Sequence, residues 1–196
     1  MCRKFPEKGE FEMKTKLGLC LFASVVLIAG CVPSLNPVYT SEQLVVDENL
    51  VGEFVDAKSK IQWGFTKGDG KSYRLVYTDK SGKQGKFIAH LADLGGVRVL
   101  DLFPEQEESA ASRFYQVHIV PIHTFFLVVE TKPNLILATL DFNWLDGYVK
   151  HHPDEIDIAT FETRKMITSP TKDVQEFIVK HKGRFVNELS LERQAE

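Results

Sequence analysis

Cysteine is nearly missing from this chain of 196 residues: Cys2, Cys20 and Cys31 are all there is. After residue 31 there is no thiol at all, which excludes disulfides, thiol catalysis and cysteine-based zinc sites from the bulk of the sequence. Basic charge is scarce as well. Twenty-four Lys and Arg stand against 27 Asp and Glu, a formal net charge of -3, so no positive field argues for nucleic acid. No apolar run reaches the ~20 residues that a membrane-spanning helix needs. The Gly-x-Ser-x-Gly elbow of a serine hydrolase is absent. Gly68-Asp69-Gly70-Lys71-Ser72 ends like a phosphate-binding loop, but Phe65 stands where its first glycine is required, so it reads as a hairpin turn.

Core material is plentiful. Apolar residues make up 43% of the chain, with 14 Phe and 5 Tyr, which argues for a folded domain over disorder. The length suits one domain.

The N-terminus has a different composition from the rest. Lys14 and Lys16 precede an apolar stretch from Leu17 to Ile28, followed by the small residues Ala29 and Gly30 and then Cys31. A positive flank, a short apolar run and a small-residue exit are the marks of an export signal, and the run is too short to span a bilayer. Three glutamates in residues 1–12 fit such a signal poorly, which points to Met13 as the true start. Ile28-Ala29-Gly30-Cys31 resembles the lipobox of bacterial lipoprotein precursors. The resemblance implies cleavage between Gly30 and Cys31, a diacylglyceryl thioether on Cys31, and a further acyl chain such as palmitate on the new amino terminus. Val32 rather than Asp after the cysteine implies the outer membrane, facing the periplasm, where the source has two membranes. The Pro-Ser-Leu-Asn-Pro run at 33–37 resembles that of a group of uncharacterised envelope lipoproteins. Residues 1–30 hold five basic and three acidic residues, so the remainder carries 19 basic against 24 acidic. Lipid on Cys31, rather than a polybasic patch, must then supply the membrane affinity.

Residues 31–48, punctuated by Pro33 and Pro37 and without periodicity, read as a lipidated tether. Residues 49–185 read as a β-rich globular domain. Ile61, Trp63 and Phe65 alternate with Gln62, Gly64 and Thr66, Tyr73, Leu75 and Tyr77 with Arg74, Val76 and Thr78, and Phe87, Ala89 and Leu91 with Ile88, His90 and Ala92. Val117 to Val129 is apolar on both parities, which predicts a strand buried on both faces. Lys132-Pro133-Asn134 is a turn, and Leu135 to Leu140 returns. Asn143 is a candidate cap for a short helix carrying Trp144, Leu145 and Tyr148. Ser169 and Pro170 mark the start of a second, with Val174, Phe177, Ile178 and His181 at helical spacing and Gly183 beyond its end. The polar and acidic residues 104–113 read as an exposed loop or short helix, and 186–196 as a polar tail. The fold class expected is β-rich α+β: an antiparallel meander, closed as a barrel, half-closed or curled, with one or two late helices.

Gly52-Glu53-Phe54 is similar to the Gly-x-Trp opening of lipocalins, with Phe54 in place of Trp. That resemblance implies a carrier of a small apolar ligand, with Trp63, Phe65, Tyr73, His123 and Phe126 as candidate pocket residues. His151-His152-Pro153-Asp154, with Glu155 and Asp157 nearby, offers metal-binding atoms, but adjacent helical residues diverge by about 100°. The pair suits the C-terminus of a helix better than one ion. Asp101 and Asp141 sit among apolar neighbours and need partners if they face inward. Three functions compete: a non-catalytic envelope interaction or assembly component, a lipocalin-like carrier, and an envelope hydrolase or metal-dependent enzyme using His123, His151, His152 or Asp154. The absence of any catalytic motif ranks the first above the others, with no cofactor and no nucleic acid, and with the membrane, an envelope protein or a small apolar ligand as partners.

Replacing Cys31 with Ala removes the only sulfur nucleophile available at the lipobox. Palmitate incorporation should be lost, and the precursor should keep its signal segment by intact mass. Acylation that survives the substitution would sink the lipobox reading.

Overall fold

Apolar residues at every second position make a strand with one buried face, and glycine-rich turns reverse it. The computed structural model, which describes residues 32–105, 119–161 and 164–195, turns that pattern into twelve strands and two α-helices. The strands are β1 (Pro33–Ser34), β2 (Leu44–Val45), β3 (Gly52–Val55), β4 (Gln62–Lys67), β5 (Ser72–Thr78), β6 (Gln84–Asp93), β7 (Arg98–Pro104), β8 (His123–Glu130), β9 (Leu135–Leu140), β10 (Ile158–Phe161), β11 (Arg164–Ile167) and β12 (Phe185–Arg193). The helices are α1 (Phe142–His151) and α2 (Thr171–Lys180).

Strands β3 to β9 follow one another as antiparallel neighbours, β12 pairs with β9, and β12 pairs with β3. The result is a closed eight-stranded antiparallel barrel; the antiparallel meander and the late helices are as the pattern predicts, and the structure selects closure among the alternatives. The segment between β9 and β12 carries both helices and the β10–β11 hairpin, packed outside the barrel.

Period two sorts the side chains. Phe54, Trp63, Phe65, Tyr73, Leu75, Ala89, Leu91, Leu100, Leu102, Phe126, Val128, Leu135, Leu137 and Leu191 fill the barrel, and Leu50 seals one end from the short 3-10 turn at Glu48–Leu50. The opposite parity of β6 to β9 faces outward, where Ala92, Val99, Phe125, Ala138 and Leu140 would meet water. Leu145 of α1 and Val174, Phe177 and Ile178 of α2 cover them as a second core. This explains why β8 is apolar on both faces. Each large side chain buried in either core contributes about 1.5–3 kcal/mol.

Three boundaries differ from the sequence reading. Residues 186–196 are not a tail: Phe185–Arg193 is β12, which closes the barrel. On its inward parity only Leu189 and Leu191 are apolar, while Glu188, Ser190 and Glu192 face water, so composition disguises the strand. Nor does the described part of 31–48 hang free. Ser34 pairs with His123 of β8 and with Ile167 of β11, and Leu44 pairs with Ala92 of β6. Val32, Ser34 and Val38 are buried. We call this segment the strap. Its prolines cannot complete a ladder and hid the pairing. The helix caps also shift: Asp141, not Asn143, caps α1 by accepting from the N–H groups of Asn143 and Trp144. Pro170 is the N-cap of α2, and the Ser169 hydroxyl instead accepts the Asp157 N–H at 2.7 Å.

Leu137 is fully buried in the barrel, whereas Val186 is 54% exposed. By urea unfolding, Leu137→Ala should cost about 2–5 kcal/mol. Val186→Ala should stay within about 0.5 kcal/mol. Equal costs would contradict this packing.

Candidate functional site

The barrel interior gathers four of the five candidate pocket residues. Trp63, Phe65, Tyr73 and Phe126 all point inward and are 1–6% exposed. They pack on one another and their neighbours: Trp63 lies 5.6 Å from Phe126, 6.1 Å from Phe65 and 5.8 Å from Tyr77 between ring centroids, and Phe65 meets Phe54 edge-on at 6.1 Å. An eight-stranded barrel is just wide enough to be filled by side chains or to hold one small ligand. Here aromatic rings take up much of the interior. The Trp63 Nε1–H is buried without a hydrogen-bond partner, a costly state in an apolar interior. Tyr77, Phe87 and Thr139, on the inward parity nearer the end from which β8 starts, are only half-buried.

The other end is closed by polar contacts. The Tyr73 hydroxyl accepts the Asp47 N–H at 2.7 Å and donates to the Asp47 carbonyl at 3.2 Å. The Asp47 carboxylate takes Arg98 at 2.5 Å and the Thr131 hydroxyl at 3.0 Å. Burial pushes the Asp47 carboxyl up, but hydrogen bonds from Asn49, Arg98 and Thr131 outweigh it and hold the group below its ordinary value.

His123 does not join the pocket set. It sits on the outward parity of β8, where its Nδ1 lies 2.7 Å from Asp101 of β7. Asp101 is fully buried beneath the strap, and its second oxygen accepts the Val38 N–H at 3.1 Å. Beside it His90 of β6, paired in register with Asp101, stacks against Tyr39 of the strap at 4.4 Å. Burial pushes the His90 imidazole down, opposed by the Asp101 charge and reinforced by His123. Burial and Asp101 together raise the Tyr39 phenol. The sequence hint was the lone acid in Leu100-Asp101-Leu102, but nothing local tells that the strap would bury it. The arrangement fastens the strap to the barrel wall.

A third cluster joins the two helices. Glu155 accepts from the Tyr148 hydroxyl at 2.9 Å, from Lys180, and from His181 at 3.3 Å, and its carboxyl falls to about 2, chiefly through Lys180. Trp144, Tyr148, Phe177 and His181 pack ring on ring above it. His151 and His152 separate as the helix geometry requires. His151 Nδ1 reaches the Gly147 carbonyl at 3.0 Å, while the His152 ring stacks on Tyr148 at 4.2 Å. Among the described residues no three His, Cys, Asp or Glu side chains gather as a metal site. A hollow of about 390 Å³ lies between the Asp154–Asp157 turn and α2, lined by Asp154, Glu155, Asp157, Asp173, Glu176 and Lys180. Cys31, Gly30, His118 and most of the 104–113 segment lie outside the described residues.

Comparison with protein-family models, with curated proteins and with solved structures finds no match for this chain.

Because burial depresses His90, the unfolded chain binds its proton first as the pH falls. The neutral imidazole therefore favours folding above the ordinary value of about 6.5, and that contribution declines as the pH drops from there toward the depressed value. His90→Asn should flatten the fall in urea midpoint between neutral pH and the acid side of that window. Identical pH profiles for the two proteins would remove the strap-side histidine from this role.

Proposed function

We propose that the chain is a bacterial lipoprotein, cleaved before Cys31 and anchored in the cell envelope by lipid, whose barrel is a solid scaffold for an interaction or assembly role. The observation that carries this reading is the packing of Trp63 on Phe65, Tyr77 and Phe126, with all four candidate lining residues in the barrel nearly inaccessible. A protein that works through its outer surface has reason to fill its barrel. It also has reason to cover the barrel's outer wall with α1, α2 and the strap, which multiplies distinct surfaces on one rigid body.

One observation favours the carrier reading. The closed antiparallel barrel is compatible with a lipocalin-like fold. The buried Trp63 Nε1–H without a partner, below the half-buried Tyr77, Phe87 and Thr139, is what a small ligand bearing one acceptor would satisfy.

Native mass spectrometry of the mature protein, extracted gently from membranes, separates the two. A mass with no addition beyond the acyl groups, together with an envelope protein captured by crosslinking in cells, is the expected result. A retained small molecule that disappears in Trp63→Phe would replace the scaffold with the carrier. Free monomer under every crosslinking condition would remove the interaction role.

A further inference from the structure

The chain leaves the described fold at Val32, one peptide link from Cys31, and it leaves from a packed position. Val32 is 3% exposed and joins the outer core with Phe125, Ala138 and Ile167. Pro33 and Ser34 follow at once as β1, with β8 on one side and β11 on the other. Consecutive Cα atoms are about 3.8 Å apart, so lipid on Cys31 has almost no slack. The bilayer that receives it must lie against the wall from which β1 starts.

Strand registers identify the neighbouring face. Ser34 pairs with Ile167, and Ile167 pairs with Ile158; both isoleucines pack into the outer core. Alternation then turns Pro33, Met166 and Ala159 to the opposite face, and Phe161 with its cross-strand partner Arg164 follows on that same face. β11 runs parallel to β1, so Arg164 precedes Ile167 on the same side from which the chain enters Ser34. Phe161 therefore stands level with the chain's entry into β1, two strands away, about 10 Å at the usual strand spacing. It is 73% exposed, more than any other large apolar residue described, and Arg164 beside it is exposed too.

We infer that this face, at the end of the β10–β11 hairpin that carries Phe161 and Arg164, rests on the lipid bilayer interface. The inference rests on the lipid-anchor reading above. An aromatic ring beside a guanidinium suits that surface: the ring sits at headgroup level, and the arginine reaches lipid phosphate while its stem lies on apolar ground. The mature chain is acidic overall, 19 basic residues against 24 acidic, so its net charge supplies no attraction to an anionic surface. A strap built into the barrel, rather than a flexible spacer, fixes which face meets the membrane.

The test uses the lipidated mature protein in vesicles of phosphatidylethanolamine and phosphatidylglycerol. Cys31 is blocked by its lipid, so Phe161→Cys accepts a polarity-sensitive fluorophore at one place. Thr66→Cys serves as the control, because Thr66 is exposed on the outward parity of β4, across the barrel from β8. The expected result is a blue shift at position 161 and quenching there by spin-labelled headgroups, with neither at position 66. Water-like emission at both positions, with intact mass showing acylated Cys31, would overturn the inference and leave the anchor standing. Crosslinking of two copies through position 161 would assign the face to self-association and overturn it likewise. An intact mass without lipid on Cys31 would instead defeat the anchor, and this inference with it.

Discussion

The ring of strands closes through its shortest seam, and everything else in the molecule is arranged around that closure. β12 meets β3 only at Glu192 with Val55 and Arg193 with Phe54. Two register pairs are little backbone for a joint between the two ends of the domain. Arg193 supplies the rest. Its guanidinium lies 4.5 Å from the Phe54 ring centre, and its N–H groups reach the carbonyls of Val51, at 2.9 Å, and Asn49. The Gln194 N–H adds a bond to Glu53 at 2.9 Å. Gly52 permits this clasp: its φ of 134° disfavours a side chain, and a Cβ there would stand 2.6 Å from the Arg193 Nη1. Once the seam is made, the eight strands enclose a fixed volume that aromatic and aliphatic side chains occupy.

Closure also creates a convex outer wall, and part of that wall is apolar. The helical insertion and the strap are the two solutions to covering it. The strap brings a difficulty, because it buries Asp101. The carboxylate is tolerated since both oxygens find donors, the Val38 N–H and His123. The same contacts hold the strap at a defined place on β7 and β8. Gln175 of α2 adds a bond to the Val38 carbonyl at 3.0 Å, so the helix, the strap and the wall become one unit. A segment that would otherwise act as a spacer thereby becomes an orienting device for whatever precedes it.

Much of this was legible from residue order. The alternation in Trp63 to Phe65 and Tyr73 to Tyr77 placed those rings on one face, and they do share the barrel interior. The run of Val174, Phe177, Ile178 and His181 placed α2 within a residue or two. The outward place of His123 is not legible in its strand, because alternation along one strand fixes relative parity but not which parity faces inward. In β8 both parities are apolar, so the pattern carried no sign. The C-terminal strand is not legible in composition because Leu189 and Leu191 are the only apolar residues on its inward parity.

The sequence by itself determined the local periods, the turns and the late helices, because each follows from neighbours within a few positions. It also carries the lipobox-like run Ile28-Ala29-Gly30-Cys31, a resemblance read from a linear motif. The tertiary structure alone decided that the ends of the domain meet at Arg193 and Phe54, that Asp101 is buried beneath Val38, and that Phe161 stands level with the start of β1. Those relations join residues 63 to 139 positions apart. Their energy comes from closing one ring and covering its outer wall, and no local pattern encodes which distant partner will be there.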